Sequence, residues 1–139
     1  MAREAILRDT KNKTSTRYTC ATSTGIAKGT YLKNADPYTA TASTGTGDPF
    51  CGFAHADVNK STDTNFNTET SVTADKGAMY ELTASTAIVV NSYVKTCSPG
   101  NYVAQCTEAD MTASIAIVIG IAREAASAAG DQINVEVFS

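Results

Sequence analysis

Residues 115–139, IAIVIGIAREAASAAGDQINVEVFS, decide the fold class. Ile115, Ile117, Ile119 and Ile121 occupy every second position, and Ile133, Val135 and Val137 alternate with Asn134, Glu136 and Phe138. Side chains of a strand point to opposite faces in turn, so each run can present one apolar face, whereas a helix wound through 115–129 would scatter the isoleucines around its surface. Two strands are expected. Between them REAASAAGD (123–131) has high helix propensity and a glycine, Gly130, suited to ending a helical turn, so a short turn of helix is predicted there.

Working back from that stretch, the chain reads as short β-like runs cut by turn residues at the spacing of an all-β sandwich or barrel. TYLKN (30–34) and YTATAS (38–43) flank Asp36-Pro37 and predict a hairpin, since proline presets the backbone of a turn. SYVKT and YVAQC surround Ser98-Pro99-Gly100-Asn101 and predict a second, in a register where Cys97 faces Tyr102. FCGFAHADV (50–58) places small residues on one face, which calls for close packing there. FNTETSV sets Phe66, Thr68, Thr70 and Val72 on one side; AMYELTA and TAIVV read as further strands, the first introduced by a turn at Asp75-Lys76-Gly77. Residues 1–24 are polar, rich in Thr and Ser and without sustained periodicity, although Tyr18, Cys20 and Thr22 alternate. The expected architecture is all-β with short helical turns, a small β-barrel or β-sandwich-like domain over 25–139 preceded by an extended N-terminal arm over 1–24.

At 139 residues one core is expected, and the composition is one of small residues: Thr and Ala make up about 30% of the chain, aromatics 7%, and Trp is absent. The net charge of −3 is unevenly placed, with residues 1–19 carrying +3 and the remainder −6. A basic segment ahead of an acidic body fits docking on an acidic partner. The body has no Lys/Arg patch, which argues against nucleic acid, whose binding draws most of its affinity from phosphate neutralisation. The N-terminus shows no secretory apolar stretch, and the longest apolar run, 115–122, is too short to cross a bilayer of about 30 Å. A cytoplasmic origin is expected, with Cys20, Cys51, Cys97 and Cys106 as free thiols. GIAKGT (25–30) does not place glycine, lysine and Ser/Thr in the order of a phosphate loop. Cys51, His55 and Asp57 could share one side of a strand, yet zinc would need a fourth ligand, and no pair of cysteines has the close CxxC spacing. His55, the single histidine, with Asp57 and Glu69 gives the best enzyme reading, which stays weak because no serine–histidine–acid order or carboxylate pair stands out.

The runs IAKGTYLKNADPYTATAS, FCGFAHADV, KGAMYEL and IVIGIAREAASAAGDQINVEVF, spread over 25–139, resemble in order and composition the capsid decoration or cement proteins of tailed bacteriophages, the lambda head-decoration type among them. The resemblance implies a non-enzymatic β-rich protein without cofactor. It would be commonly trimeric, would lie on the outside of the virion capsid, and would bridge major capsid proteins against the pressure of packaged DNA. It also implies a clamping N-terminal arm. Residues Arg3, Arg8, Lys11, Lys13 and Arg17 would supply its charge, and Thr14, Thr16, Tyr18, Cys20 and Thr22 would line one side of a strand added to a capsid protein's sheet edge. The alternative is a head-fibre or host-binding adhesin domain acting through loops 44–49 and 59–65.

Overall fold

The computed structural model describes residues 4–9, 13–20, 25–45, 48–58, 71–97, 101–113 and 117–139. Along the chain these form β1 (Ile6–Asp9), β2 (Thr14–Cys20), β3 (Tyr31–Asp36), β4 (Thr39–Ala42), β5 (Phe50–Ala54), β6 (Ser71–Lys76), β7 (Met79–Thr83), β8 (Tyr93–Cys97), β9 (Tyr102–Gln105), α1 (Glu108–Ala113), β10 (Val118–Ala122) and β11 (Gln132–Val137). Five strands close a barrel in the order β2-β4-β3-β5-β6, and six form a sheet in the order β1-β7-β11-β10-β8-β9. The fold is all-β, as the alternating C-terminal residues predict.

β11 behaves as its sequence reads: Ile133, Val135 and Val137 are buried while Glu136 is exposed. β10 pairs with β11, Gly120 opposite Val137 and Ala122 opposite Val135. On its other side β10 shifts register against β8 between Val118 and Gly120. That bulge changes the phase of the strand, so Ile119 and then Ala122 are buried, and Ile121 is only half-buried. The hairpin at Pro37 forms as predicted, with Tyr38 at φ 55° in the turn. β8 and β9 also pair, Val94 with Gln105 through Thr96 with Val103, beyond which Cys97 bridges to Asn101 and not to Tyr102 as expected.

Two cores result, and they meet at one pair of strands. Leu32, Ala40, Cys51, Ala54, Val72 and Ala74 fill the barrel. Tyr31 and Phe53, from β3 and β5, point the other way and join Tyr80, Leu82, Val94, Ile119, Ile133 and Val135 beneath the sheet. Tyr31 and Phe53 are register partners with ring centroids 4.9 Å apart, and Phe53 lies 4.5 Å from Tyr80. The close packing expected of β5 occurs at Gly52: a Cβ there would stand 2.8 Å from that of Ala74, at a φ of 137°.

Three expectations need correction. Residues 123–131 are not helical: Ala126 forms a two-way backbone bridge with Ile88, and the Asp131 carboxylate accepts from the amides of Ser127 (2.7 Å) and Ala128 (3.2 Å), which fixes a turn instead. The helix lies at 108–113, opened by a capping box in which the Thr107 amide donates to Asp110 Oδ2 (2.8 Å) and the Asp110 amide donates to Thr107 Oγ1 (3.2 Å). TAIVV (86–90) contributes only the Ile88 bridge, leaving Val89 and Val90 exposed.

The third correction concerns the arm. Residues 6–9 form the edge of the sheet and 14–20 a stave of the barrel, so a division into free arm and domain at residue 24 does not describe this fold. β2 runs antiparallel to β6 from Thr14↔Lys76 to Thr19↔Ser71, and its far end meets β4 in parallel. β1 continues along β7, with Ile6 opposite Glu81 and Asp9 opposite Met79. The N-terminal segment does add a strand to a sheet edge, but in this structure the edge belongs to its own chain.

Candidate functional site

Between residues 4–7 and the strands β5 to β7 lies a cleft of about 560 Å³. Glu4–Leu7 line it together with Phe53, Ala54, His55, Asp75 and Tyr80, and Lys13 and Lys28 also contribute to its lining. The Ala5 amide donates to the Gly29 carbonyl at 2.9 Å. Gly29 has φ 84°, and a Cβ there would come within 2.6 Å of the Ala5 oxygen, so only glycine admits the crossing.

Asp75, 6% exposed, is the centre of the polar contacts. Ser15 Oγ donates to its Oδ1 at 2.6 Å, His55 Nδ1 lies 2.7 Å from its Oδ2, and Lys13 Nζ is 3.5 Å from the same oxygen. A buried carboxylate is tolerated when paired and hydrogen-bonded, and here three partners come from two segments, Lys13 and Ser15 from the β2 end of the N-terminal segment and His55 from just past β5. Burial and the Asp75 charge push the Tyr80 hydroxyl well above its ordinary range. An imidazole oriented by a carboxylate is half of a nucleophilic triad, but the Ser15 hydroxyl is committed to the carboxylate rather than to His55. The arrangement works as a clasp.

The three residues weighed as metal ligands, Cys51, His55 and Asp57, do not come together. β5 ends at Ala54, so the alternation does not reach His55 and Asp57: Cys51 is enclosed in the barrel, its thiol pushed up to about 12 by burial, and Asp57 accepts from the Lys28 amide at 2.7 Å. Among the described residues no group of three metal-ligating side chains converges. Glu69 and loop 59–65 lie outside the described residues, as do Arg3, Lys11 and Thr22. Of the other arm residues, Arg8 is ion-paired with Glu81, Lys13 with Asp75, and the Thr14 hydroxyl donates to the Lys76 carbonyl (3.4 Å). Thr16 and Arg17 are exposed, Tyr18 packs against the barrel core, and Cys20 is buried in it. Of loop 44–49, Asp48 is held by the amides of Thr44 (2.8 Å) and Gly45 (3.1 Å), with its carboxyl below the usual range despite burial. Asp75 was missed because Asp-Lys-Gly reads as a turn; its signal was a buried acidic position opposite a basic segment.

What fold and site define together is an all-β scaffold whose N-terminus is clasped by charge to its own sheet edges. No protein-family model and no curated protein matches the chain. Among solved structures the fold is similar to the N base of the head fiber protein gp8.5 of bacteriophage phi29, with 16% sequence identity, 91% of this chain and 94% of that one covered, and a TM-score of 0.50.

Proposed function

We propose that this protein is a structural component of a tailed-phage virion, seated on the outside of the head as a fibre-base or decoration module. The observation that carries the reading is the fold shared with a head-fibre base over nearly the whole of both chains. The order and composition of its β runs, which resemble phage decoration proteins, point the same way. In this reading its partners are the major capsid protein and further copies of itself, with a trimer expected, and neither nucleic acid nor membrane is engaged. The role is non-catalytic, which is supported by a serine and an imidazole that both bond to Asp75 instead of to each other. Many copies binding only the expanded lattice would also stabilise it by mass action, the cement role.

The test is addition of purified protein to undecorated heads, with a gel of the recovered particles for a 14.5 kDa band. Saturable binding is expected. A copy number near that of the capsid protein, with shells that resist heating better, selects the cement role; far fewer copies without stabilisation select a fibre base. No binding to expanded heads would overturn both.

A further inference from the structure

The cleft between residues 4–7 and strands β5 to β7 holds a polar group that the Asp75 clasp leaves unused. Tyr80 is 3% exposed, its ring is fixed against Phe53 at 4.5 Å, and its hydroxyl has no hydrogen-bond partner among the described residues. Burial and the Asp75 charge keep that phenol protonated, so a donor stands in the wall of the cleft with nothing to accept from it. A buried polar group in this state is costly until a group from outside meets it. Asp75 has capacity to spare as well: among the described residues its Oδ1 accepts only the Ser15 hydroxyl, which leaves a lone pair for one more donor. An unused donor and an unused acceptor in one cleft suit a hydroxyl group, which accepts from the first and donates to the second.

The rest of the lining narrows the ligand. Glu4 and Asp75 are matched by Lys13 and Lys28, so the cleft carries no excess of either sign. A carboxylate bound here would lie by Asp75 and an amine by Lys13, whereas a neutral ligand meets neither repulsion. Among the described residues the side chains of Glu4 and Lys28 form no ion pair, and His55, whose Nδ1 is engaged by Asp75, keeps its Nε2 unpartnered on a half-exposed ring. These groups add donors and acceptors, while Ala5, Ala54 and Phe53 add apolar surface. The volume of about 560 Å³ falls within the roughly 300–1,000 Å³ of small-ligand clefts. We infer that this cleft binds a neutral saccharide, whose ring carbons cover the apolar wall and whose hydroxyls satisfy Tyr80 and the open Asp75 lone pair. The site lies within one copy and does not depend on attachment to a capsid.

The test titrates the isotope-labelled full chain with glucose, galactose and N-acetylglucosamine, and separately with sodium acetate and methylamine hydrochloride as charged probes, following the backbone amides by NMR. At least one sugar is expected to shift the amides of Ala5, Gly29, Ala54 and His55 saturably, with a Kd in the millimolar range of a small ligand. Tyr80→Phe, which removes only the hydroxyl, should weaken that binding about tenfold and leave the Tm of the free protein no lower, because the hydroxyl has no partner to lose. Lys28→Ala, at an exposed position, should also weaken it and decides the matter should Tyr80→Phe fail to fold. No saturable shift of these amides with any of the sugars, or a response to acetate or methylamine alone, would overturn the inference. So would undiminished sugar binding by the variants, or a lowered Tm of free Tyr80→Phe, which would show the hydroxyl to be bonded within the chain.

Discussion

Phe53→Ala tests whether the barrel and the sheet share one core. Phe53 is 1% exposed and touches three rings, Tyr31 at 4.9 Å, Phe50 at 5.1 Å and Tyr80 at 4.5 Å, so it joins a barrel strand to β7 of the sheet. Truncating a buried phenylalanine costs about 3–5 kcal/mol from lost transfer energy and the cavity left behind. With an unfolding entropy of about 2.1 cal/mol/K per residue, a chain of this length unfolds with about 290 cal/mol/K, so a loss of ~4 kcal/mol lowers Tm by roughly 14 °C. Phe53→Leu, which keeps most of the volume, should cost under about 1.5 kcal/mol and move Tm by roughly 5 °C. Tyr38→Ala, at a site 83% exposed, should stay within about 0.5 kcal/mol. Calorimetry of the three variants is the assay, and one cooperative transition should move as a whole. Two resolved transitions with only one displaced by Phe53→Ala, or a shift no larger than that of Tyr38→Ala, would refute the shared core.

Gly120→Ala should be more damaging than its single added methyl suggests, because the new Cβ would stand 2.2 Å from the Glu136 backbone oxygen across the β10–β11 pair; denaturant unfolding should show a loss above about 3 kcal/mol, and a near-neutral result would contradict that strand approach. The Lys95 ammonium and the Thr107 amide hold the Asp110 carboxyl at about 2, below the usual carboxylate range, so its contribution to the α1 cap is complete above about pH 4 and is lost as pH falls through about 2. An NMR titration of the Thr107 amide should show that midpoint, and one near 4 would remove the contact. Thiol titration of denatured, unreduced protein should find four groups, while in the native protein Cys51 and Cys106, both raised by burial, should react slowly; a disulfide in the unreduced protein would count against the free thiols.

What the sequence made legible is what one strand can say about itself. β11 alternates because one face is buried and the other is wet, and the Pro37 hairpin is set by residues within the turn. β10 was legible only in part, since its change of phase depends on the bulge against β8 and on the close approach of Gly120 to β11, which no alternation within 115–122 encodes. α1 was passed over although Thr107-Glu-Ala-Asp110 is a capping signature, because six residues with none buried carry no apolar stripe, while of the alanines of 123–131 only Ala126 is buried, so their propensity has no apolar stripe behind it.

The N-terminal segment shows why the candidate site was harder to read than the fold. A strand held mainly by its ladder and by ion pairs leaves most of its side chains in water, with only Tyr18 and Cys20 of β2 turned to the core, so little in its sequence forces an apolar alternation and it looks like a solvated arm. Its charge did carry information, since the excess of basic groups in 1–19 is answered by Asp75 and Glu81 of the ribbon it covers. Charge asymmetry along a chain marks a complementary surface without saying on which molecule that surface lies.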